Sequence, residues 1–125
     1  MRYMLLTHYS ESDGESQSEE ATAAARVAFA SYTATLEAAG VLIAAEVLRP
    51  SESTTTVSLV GGELRIQDGP FADTKEQLGG TFVIDVPDLD AALEWAAKAP
   101  SVAWGAVEVR PGALFYGDGA WRPNA

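Results

Sequence analysis

The segment Asp68-Gly-Pro-Phe-Ala-Asp-Thr-Lys-Glu-Gln-Leu-Gly-Gly80 lies between two strand-like runs and contains the residues that decide the fold. It combines an Asp-Gly turn dipeptide, a proline, an aromatic residue and a diglycine. Glycine lets the backbone bend, and proline fixes the angle at which the chain leaves the turn. A simple surface turn needs fewer special residues, so we expect a specialised connection between strands. We call residues 68–80 the signature segment.

Outward from this segment, the chain shows alternating strand and helix patterns. Period-two and β-branched patterns predict strands at 2–9, 41–48, 55–60, 63–67, 81–86 and 107–109. Gly61 and Gly62 fit a tight hairpin turn. With two helices, the order is strand, helix, strand, hairpin, strand, helix, strand. This order predicts an α+β fold with a ferredoxin-like split βαβ core and an extra β-hairpin.

The two helices are predicted from helical spacing of apolar residues. The first, 19–39, has Ser16 and Glu19 as a capping box and Gly40 as its stop. Its apolar stripe consists of Ala25, Phe29, Tyr32 and Leu36. The second helix begins at Pro87 and Asp88, and its predicted buried face consists of Leu89, Ala92, Leu93 and Ala96, with Trp95 off that stripe. The polar acidic stretch 10–18 is predicted to be a mobile loop.

The four residues Asp68-Gly69-Pro70-Phe71 resemble the signature of the DGPF branch of the YCII-related family. The resemblance extends to 1–6, 36–42, 84–97 and 107–111, and so covers most of the chain. It implies a dimeric α+β barrel, in which two sheets face each other across a symmetry axis. Independently, two alanine-rich helices can cover only one face of the sheet. We therefore expect a homodimer that covers the other face.

The length of 125 residues predicts one domain. The family-like domain is expected at 1–110, followed by an extension at 111–125. In that extension, aromatic residues flank Gly117-Asp-Gly119, which predicts either a small aromatic hairpin or a partly ordered tail.

Charge and composition limit the partners. Eighteen acidic against eight basic residues give a net charge of −10, which disfavours binding to nucleic acid or to anionic membranes. The absence of cysteine excludes disulfides and thiolate sites. No apolar run has the length of a transmembrane helix, and no signal peptide is evident. These features predict a cytoplasmic protein. The partners that we expect are the second copy of the homodimer and a possible small-molecule ligand, with no nucleic acid and no membrane.

Asp68 and His8 are the candidate catalytic residues. Asp68 stands at the end of a strand on a rigid turn, where a carboxylate can act as a base; alternatively it only accepts hydrogen bonds from its own turn amides. In the family, an aspartate and a histidine of the first helix underlie the suspicion of enzymatic activity. Here that helix has no histidine, and His8 lies on the first strand. It would approach Asp68 if strands one and four are neighbours; alternatively it is structural.

Four further residues are candidates for substrate binding. Phe71 is expected to fill the core beneath the turn, or else to form a pocket wall. Lys75 lies between acidic residues and either binds an anionic ligand or is merely solvated. Glu46 and Arg65 belong to a group of charged residues in or near strands, which either contact a ligand or form mutual ion pairs. The other members of that group are Arg49 and Arg110.

Known cofactor and metal motifs are not recognisable. A single histidine without cysteine cannot form a usual zinc site, and no calcium loop, phosphate loop or nucleophile elbow is present. By analogy with related families of dimeric barrels, the resemblance implies a small, cofactor-independent enzyme that performs acid–base chemistry on a small organic molecule in a dimer cleft. The alternative is a ligand-sensing or protein-binding module associated with transcription regulation, because some family members are fused to sigma-factor-like regions.

Overall fold

A computed structural model describes residues 1–125. The chain forms eight strands and three α-helices, with 3₁₀ turns at Ser51–Ser53 and Pro100–Ala103. In chain order the elements are β1 (Arg2–Tyr9), α1 (Glu11–Glu15), α2 (Glu19–Ala38), β2 (Leu42–Val47), β3 (Thr55–Val60), β4 (Glu63–Asp68), β5 (Gln77–Asp85), α3 (Leu89–Ala97), β6 (Gly105–Pro111), β7 (Leu114–Gly117) and β8 (Ala120–Pro123). No helix is both long enough and apolar enough to span a membrane.

The central sheet has four antiparallel strands in the order β2-β5-β1-β6. Leu5 on β1 lies opposite Phe82 on β5 and Val109 on β6. The helices α2 and α3 follow β1 and β5 in sequence, which is the split βαβ arrangement. The predicted α+β ferredoxin-like fold is therefore confirmed. The extra hairpin, β3–β4, and the C-terminal pair, β7–β8, form two separate two-stranded sheets.

The core lies between one face of the sheet and the helices. Alternate residues of β1 (Tyr3, Leu5 and Thr7) are buried, as predicted from the period of two. Tyr32 of α2 packs edge-on against Phe82, with ring centroids 5.3 Å apart. The buried helix residues are Tyr32 and Leu36 of α2 and Ala92 and Ala96 of α3. We call the opposite face of the sheet, which carries Met4, Leu6 and His8 of β1, the open face.

Three helix predictions need correction. The acidic stretch after β1 is not a mobile loop: it contains α1, whose first turn is capped by Ser10 Oγ accepting from the Asp13 amide at 3.4 Å. The N-cap of α2 is Ser18, which accepts from the Ala21 amide at 3.1 Å, because Ser16 is already used at the end of α1.

The buried face of α3 is narrower than predicted. Leu89 and Leu93 are exposed, whereas Trp95 is partly buried against the core. The short helix rests on the sheet through its alanines, Ala92 and Ala96, which allow close approach. Leucines on the flanks of that contact are therefore left in solvent.

The diglycine of the signature segment lies inside β5, not before it. β5 begins at Gln77, and its register against β1 shifts so that Thr7 faces Gly80 and His8 faces Leu78. Gly79 is thus the extra residue of a β-bulge. A Cβ on Gly80 would lie 2.8 Å from the carbonyl oxygen of Glu46 on β2, so only glycine allows the two strands to approach here.

The C-terminal residues form an ordered hairpin. Tyr116 of β7 and Trp121 of β8 face each other as cross-strand partners, with ring centroids 5.5 Å apart. The guanidinium of Arg2 lies 3.8 Å from the ring centre of Phe115. Of the two alternatives for the extension, the structure therefore has the small aromatic hairpin.

Candidate functional site

His8 and Glu108 form a pair on the open face of the sheet. Nε2 of His8 lies 2.5 Å from Oε1 of Glu108, in a close contact whose angles do not meet those of a hydrogen bond. The register of the sheet explains this contact. Leu6 of β1 pairs with Glu108 of β6, so Glu108 is the diagonal neighbour of His8. The His8 side chain is largely buried, and Glu108 is more than half exposed.

A cleft of about 760 Å³ lies next to this pair. His8 forms part of its wall, and the signature segment forms another part. The remaining wall comes from the connection between β2 and β3 and from the first residues of β3, so that the lining consists of His8, 48–51, 53–57, 70–74 and 76–78. We call this space the signature cleft. Its volume is in the range of small-molecule sites.

Hydrogen bonds fix the walls of the signature cleft. The Gly69 amide donates to the Thr54 carbonyl at 2.7 Å, and Thr56 Oγ1 donates to the Gly69 carbonyl at 2.8 Å. Gln77 Nε2 donates to the Thr74 carbonyl at 2.6 Å. On the other side, the Glu11 carboxylate accepts from both the amide and the hydroxyl of Ser51 at 2.7 Å. The cleft is therefore a built feature and not a gap between loose loops.

Asp68 does not meet His8. Its strand, β4, pairs only with β3, whereas β1 pairs with β5 and β6. Strands one and four are therefore not neighbours, and the condition for an approach of His8 to Asp68 is not met. Asp68 is exposed at the end of β4, and its carboxylate accepts no hydrogen bond within the chain. The expectation that it bonds its own turn amides is also wrong, since Thr54 and Thr56 bind the turn backbone instead.

Phe71 does not fill the core. Its side chain is 91% exposed and lies on the wall of the signature cleft, so the expected core role is wrong. The reason is that the segment follows β4 of the separate β3–β4 sheet, in which no residue is buried and no core exists to receive an aromatic ring. Lys75 is exposed and does not line the cleft, although its neighbours Thr74 and Glu76 do.

The charged strand residues do not form ion pairs with one another. The ion pairs of the chain join Met1 to Asp85, His8 to Glu108 and Arg122 to Asp118, so the expected pairing among the first group is wrong. Arg65 is exposed on β4, opposite Ser58 and away from both cavities. Glu46 lines a different cavity, on the helix side of the sheet. Arg49 lines the signature cleft as an unpaired cation.

No group of three or more His, Asp or Glu side chains is arranged to hold a metal ion. The cleft itself offers the imidazole of His8, which has the Glu108 carboxylate beside it, and the guanidinium of Arg49 elsewhere in its lining. Sequence patterns did not identify Glu108 as a site residue, because its role depends on the β1–β6 register. The only available signal was an acidic residue that alternates with valines on β6, the last strand of the central sheet.

Comparisons with known proteins identify the family of the chain. The family model of the YCII-related domain matches residues 1–114. An uncharacterised protein of Rhizobium meliloti is 43% identical over 70 residues, which are 54% of this chain and 56% of that protein. The chain thus spans about half the length of this curated relative. Because the family model covers nearly the whole chain, including the complete central sheet and the helices α2 and α3, the chain belongs to the YCII-related family.

Proposed function

We propose that this protein is a small, cofactor-independent enzyme that moves a proton on a small organic acid bound in the signature cleft. The observation that carries the proposal is the His8–Glu108 pair on the open face, with His8 on the cleft wall. Imidazole is the side chain best suited to exchange protons near neutral pH, and a carboxylate neighbour orients the ring.

Each residue has a distinct task in this mechanism. The Glu108 carboxylate contacts Nε2 of His8 and favours the tautomer with its proton on that nitrogen, which leaves Nδ1 as the nitrogen that exchanges a proton with the ligand. Arg49 supplies the positive charge that binds a carboxylate, because it lines the same cleft and has no acidic partner. The imidazole then removes a proton from carbon next to a carbonyl group and returns it, which needs no redox cofactor. Asp68 has no part in this step.

Deuterium incorporation tests the mechanism across a panel of candidate acids. Short 2-oxo and unsaturated carboxylic acids are incubated with the protein in D₂O, and loss of C–H signals is followed by ¹H NMR. We expect exchange of at least one acid, a loss of about 10²-fold or more in His8→Gln, and a smaller loss in Glu108→Gln. Arg65→Gln is the matched control, because Arg65 lies away from the cleft. Undiminished exchange in His8→Gln, or no exchange of any acid, contradicts the proposal.

The site is completed by a second copy of the chain in this proposal. One face of the β3–β4 hairpin carries two apolar cross-strand pairs, Val57 with Ile66 and Leu59 with Leu64. Each of these side chains is 61–72% exposed. No helix covers the open face of the central sheet. Monomeric proteins seldom expose such apolar surface, and a stable dimer needs about 800 Å² from each partner. A homodimer that buries both surfaces would turn the open side of the cleft into an enclosed site.

Sedimentation velocity tests the dimer. Leu59→Glu places a charge on the apolar face of the hairpin, so we expect a shift from dimer to monomer. Val27→Glu is the control, because Val27 is 69% exposed on α2, close to the 72% of Leu59, but lies away from the hairpin. A monomeric wild-type protein, or an unchanged dimer in Leu59→Glu, would show that this face is not the interface.

A further inference from the structure

A second cavity, of about 530 Å³, lies on the helix side of the central sheet, opposite the open face. It is bounded by α1 and α2 above and by β2 and β5 below, with Trp104 at one end. We call it the helix-side cavity. Its size fits a small organic molecule. The proposed proton transfer does not use it, since His8, Glu108 and Arg49 do not line it.

Aromatic rings form its inner wall. Phe29 stacks on Phe82 with centroids 6.5 Å apart and planes inclined by 11°, and Trp104 meets Phe29 edge-on at 6.2 Å. Two α2 residues on the wall, Ala25 and Ala30, are small and leave the space in front of these rings empty. A flat ring can therefore lie against Phe29 and Phe82 in the offset or edge-on geometry that aromatic pairs prefer.

The signature diglycine and Tyr9 shape the cavity on the sheet side. Gly79 and Gly80 line it, and both are buried. A Cβ on Gly79 would collide with the Tyr9 ring, so the glycine lets the phenol lie across β5. Burial raises the pKa of Tyr9, and the negative charge of Glu11 raises it further. The phenol thus keeps its proton at neutral pH, and it makes no hydrogen bond within the chain.

The other polar groups of the wall either form hydrogen bonds within the chain or are exposed to solvent. The hydroxyls of Thr7, Thr22 and Thr33 donate to the carbonyls of Gly80 at 3.1 Å, Ser18 at 3.2 Å and Phe29 at 2.8 Å. The charged residues on the wall, Asp13, Arg26 and Glu46, are all exposed. The Gln17 amide, which makes no side-chain hydrogen bond, is also on an exposed residue of the wall. Inside the cavity a ligand therefore meets apolar surface and the free hydroxyl of Tyr9.

We propose that the helix-side cavity is a binding site for a neutral, planar aromatic molecule that carries one hydrogen-bond acceptor. The aromatic ring packs on Phe29, Phe82 and Trp104, and the Tyr9 hydroxyl donates to the acceptor oxygen. A charged group on the ring is disfavoured inside, because no buried counter-charge lines the wall and desolvation of an ion is costly. An aryl ketone has the required shape and acceptor.

Titration of the isotopically labelled protein with acetophenone, followed by ¹H–¹⁵N NMR, tests the proposal. We expect shifts at Phe29, Phe82 and Trp104, and weaker binding of benzoate and benzylamine. Ala25→Phe fills the cavity and abolishes binding, whereas Ala24→Phe, on an exposed α2 position outside the wall, retains it. Tyr9→Phe weakens acetophenone about 5- to 10-fold, the loss expected for one hydrogen bond.

The proposal is overturned by no acetophenone binding to the wild type, by equal binding to Ala25→Phe, or by tighter binding of benzoate than of acetophenone. If Ala25→Phe does not fold, Ala45→Leu fills the same cavity from β2 and gives the same test. Shifts confined to His8 and Leu78 would place the ligand in the signature cleft and also contradict the proposal. Proton exchange by His8 is read independently, so failure of one site does not imply failure of the other.

Discussion

The Tyr9 ring occupies the space that a side chain on Gly79 would need. Gly79 is the extra residue of the bulge between β1 and β5, and Tyr9 is the last residue of β1. The end of the signature segment is therefore fitted to the first strand, far away in sequence. The relationship explains why the segment ends in glycine: the bulge turns Tyr9 across the strand, and a residue without Cβ makes room for its ring.

Gly79→Ala should destabilise the protein by about 1–3 kcal/mol, the range of overpacking in a well-packed site. Urea denaturation measures the loss. Gly14→Ala is the control, because a Cβ there meets no atom within 4 Å, and it should leave stability unchanged or raise it. Combining Gly79→Ala with Tyr9→Ala removes the collision, so the double variant should be more stable than the sum of the single losses predicts. Simple additivity would contradict the steric explanation.

Asp68→Ala should change the free energy of unfolding by less than about 0.5 kcal/mol, because the carboxylate is exposed and accepts no hydrogen bond within the chain. Thermal melts at matched protein concentration measure this. Thr56→Val is the contrasting variant: it removes the hydroxyl that donates to the Gly69 carbonyl at 2.8 Å, and it should cost about 1 kcal/mol. A clear loss in Asp68→Ala would show that the carboxylate holds its turn after all.

Local signals in the sequence predicted the elements whose geometry is set locally. Gly61 and Gly62 both adopt positive φ, at 60° and 84°, so the turn chemistry determined the β3–β4 hairpin, and β3 has its predicted bounds. The alternation in β1 likewise identified Tyr3, Leu5 and Thr7 as the buried face. In these cases the neighbours in sequence are also the residues that decide the conformation.

Site residues depended on pairings that local patterns do not encode. His8 meets Glu108 and not Asp68, because the register of β1 against β6 decides which side chains are diagonal neighbours. The short helix α1 was missed for a similar reason, since its bonds from Glu11 to Ser51 and Gln77 join distant parts of the chain. An aromatic residue in a turn, such as Phe71, signals burial only where a core lies beneath it.

Asn124 anchors the C-terminal hairpin to β1. Its Oδ1 accepts from the Arg2 amide at 2.7 Å, and its Nδ2 donates to the carbonyls of Arg2 at 2.9 Å and Gly112 at 2.7 Å. Asn124→Asp replaces the donating Nδ2 with an oxygen, which then faces the two carbonyl oxygens without a proton to donate. We therefore expect the free energy of unfolding to fall by about 1–3 kcal/mol. Asp118 is exposed in a turn and adopts positive φ, which asparagine also accepts. Asp118→Asn should therefore leave the free energy of unfolding unchanged. Equal stability of both variants in urea would show that the hairpin is not anchored by Asn124.

Tyr32 should make stability depend on alkaline pH. Burial raises the pKa of Tyr32 to about 12, and its hydroxyl donates to the Trp95 carbonyl at 2.8 Å. In the unfolded chain a tyrosine loses its proton near pH 10. Between about pH 10 and 12 the folded state therefore binds more protons than the unfolded state, and the free energy of unfolding falls as pH rises. Below pH 10 the phenol is neutral in both states, and its stabilising effect is fully present.

Tyr32→Phe separates this effect from those of the other tyrosines. At pH 7 we expect the variant to be less stable by about 1 kcal/mol, because the Trp95 carbonyl loses its donor. From pH 10 to 12 the wild type loses stability more steeply than Tyr32→Phe, so the difference between their free energies of unfolding should become smaller. Tyr116→Phe, at a position 60% exposed and without a hydrogen bond of its hydroxyl within the chain, is the control and should keep the stability of the wild type at pH 7. Urea denaturation across this pH range tests the prediction. A constant difference in the free energy of unfolding between the wild type and Tyr32→Phe would mean that Tyr32 ionises equally in the folded and unfolded states.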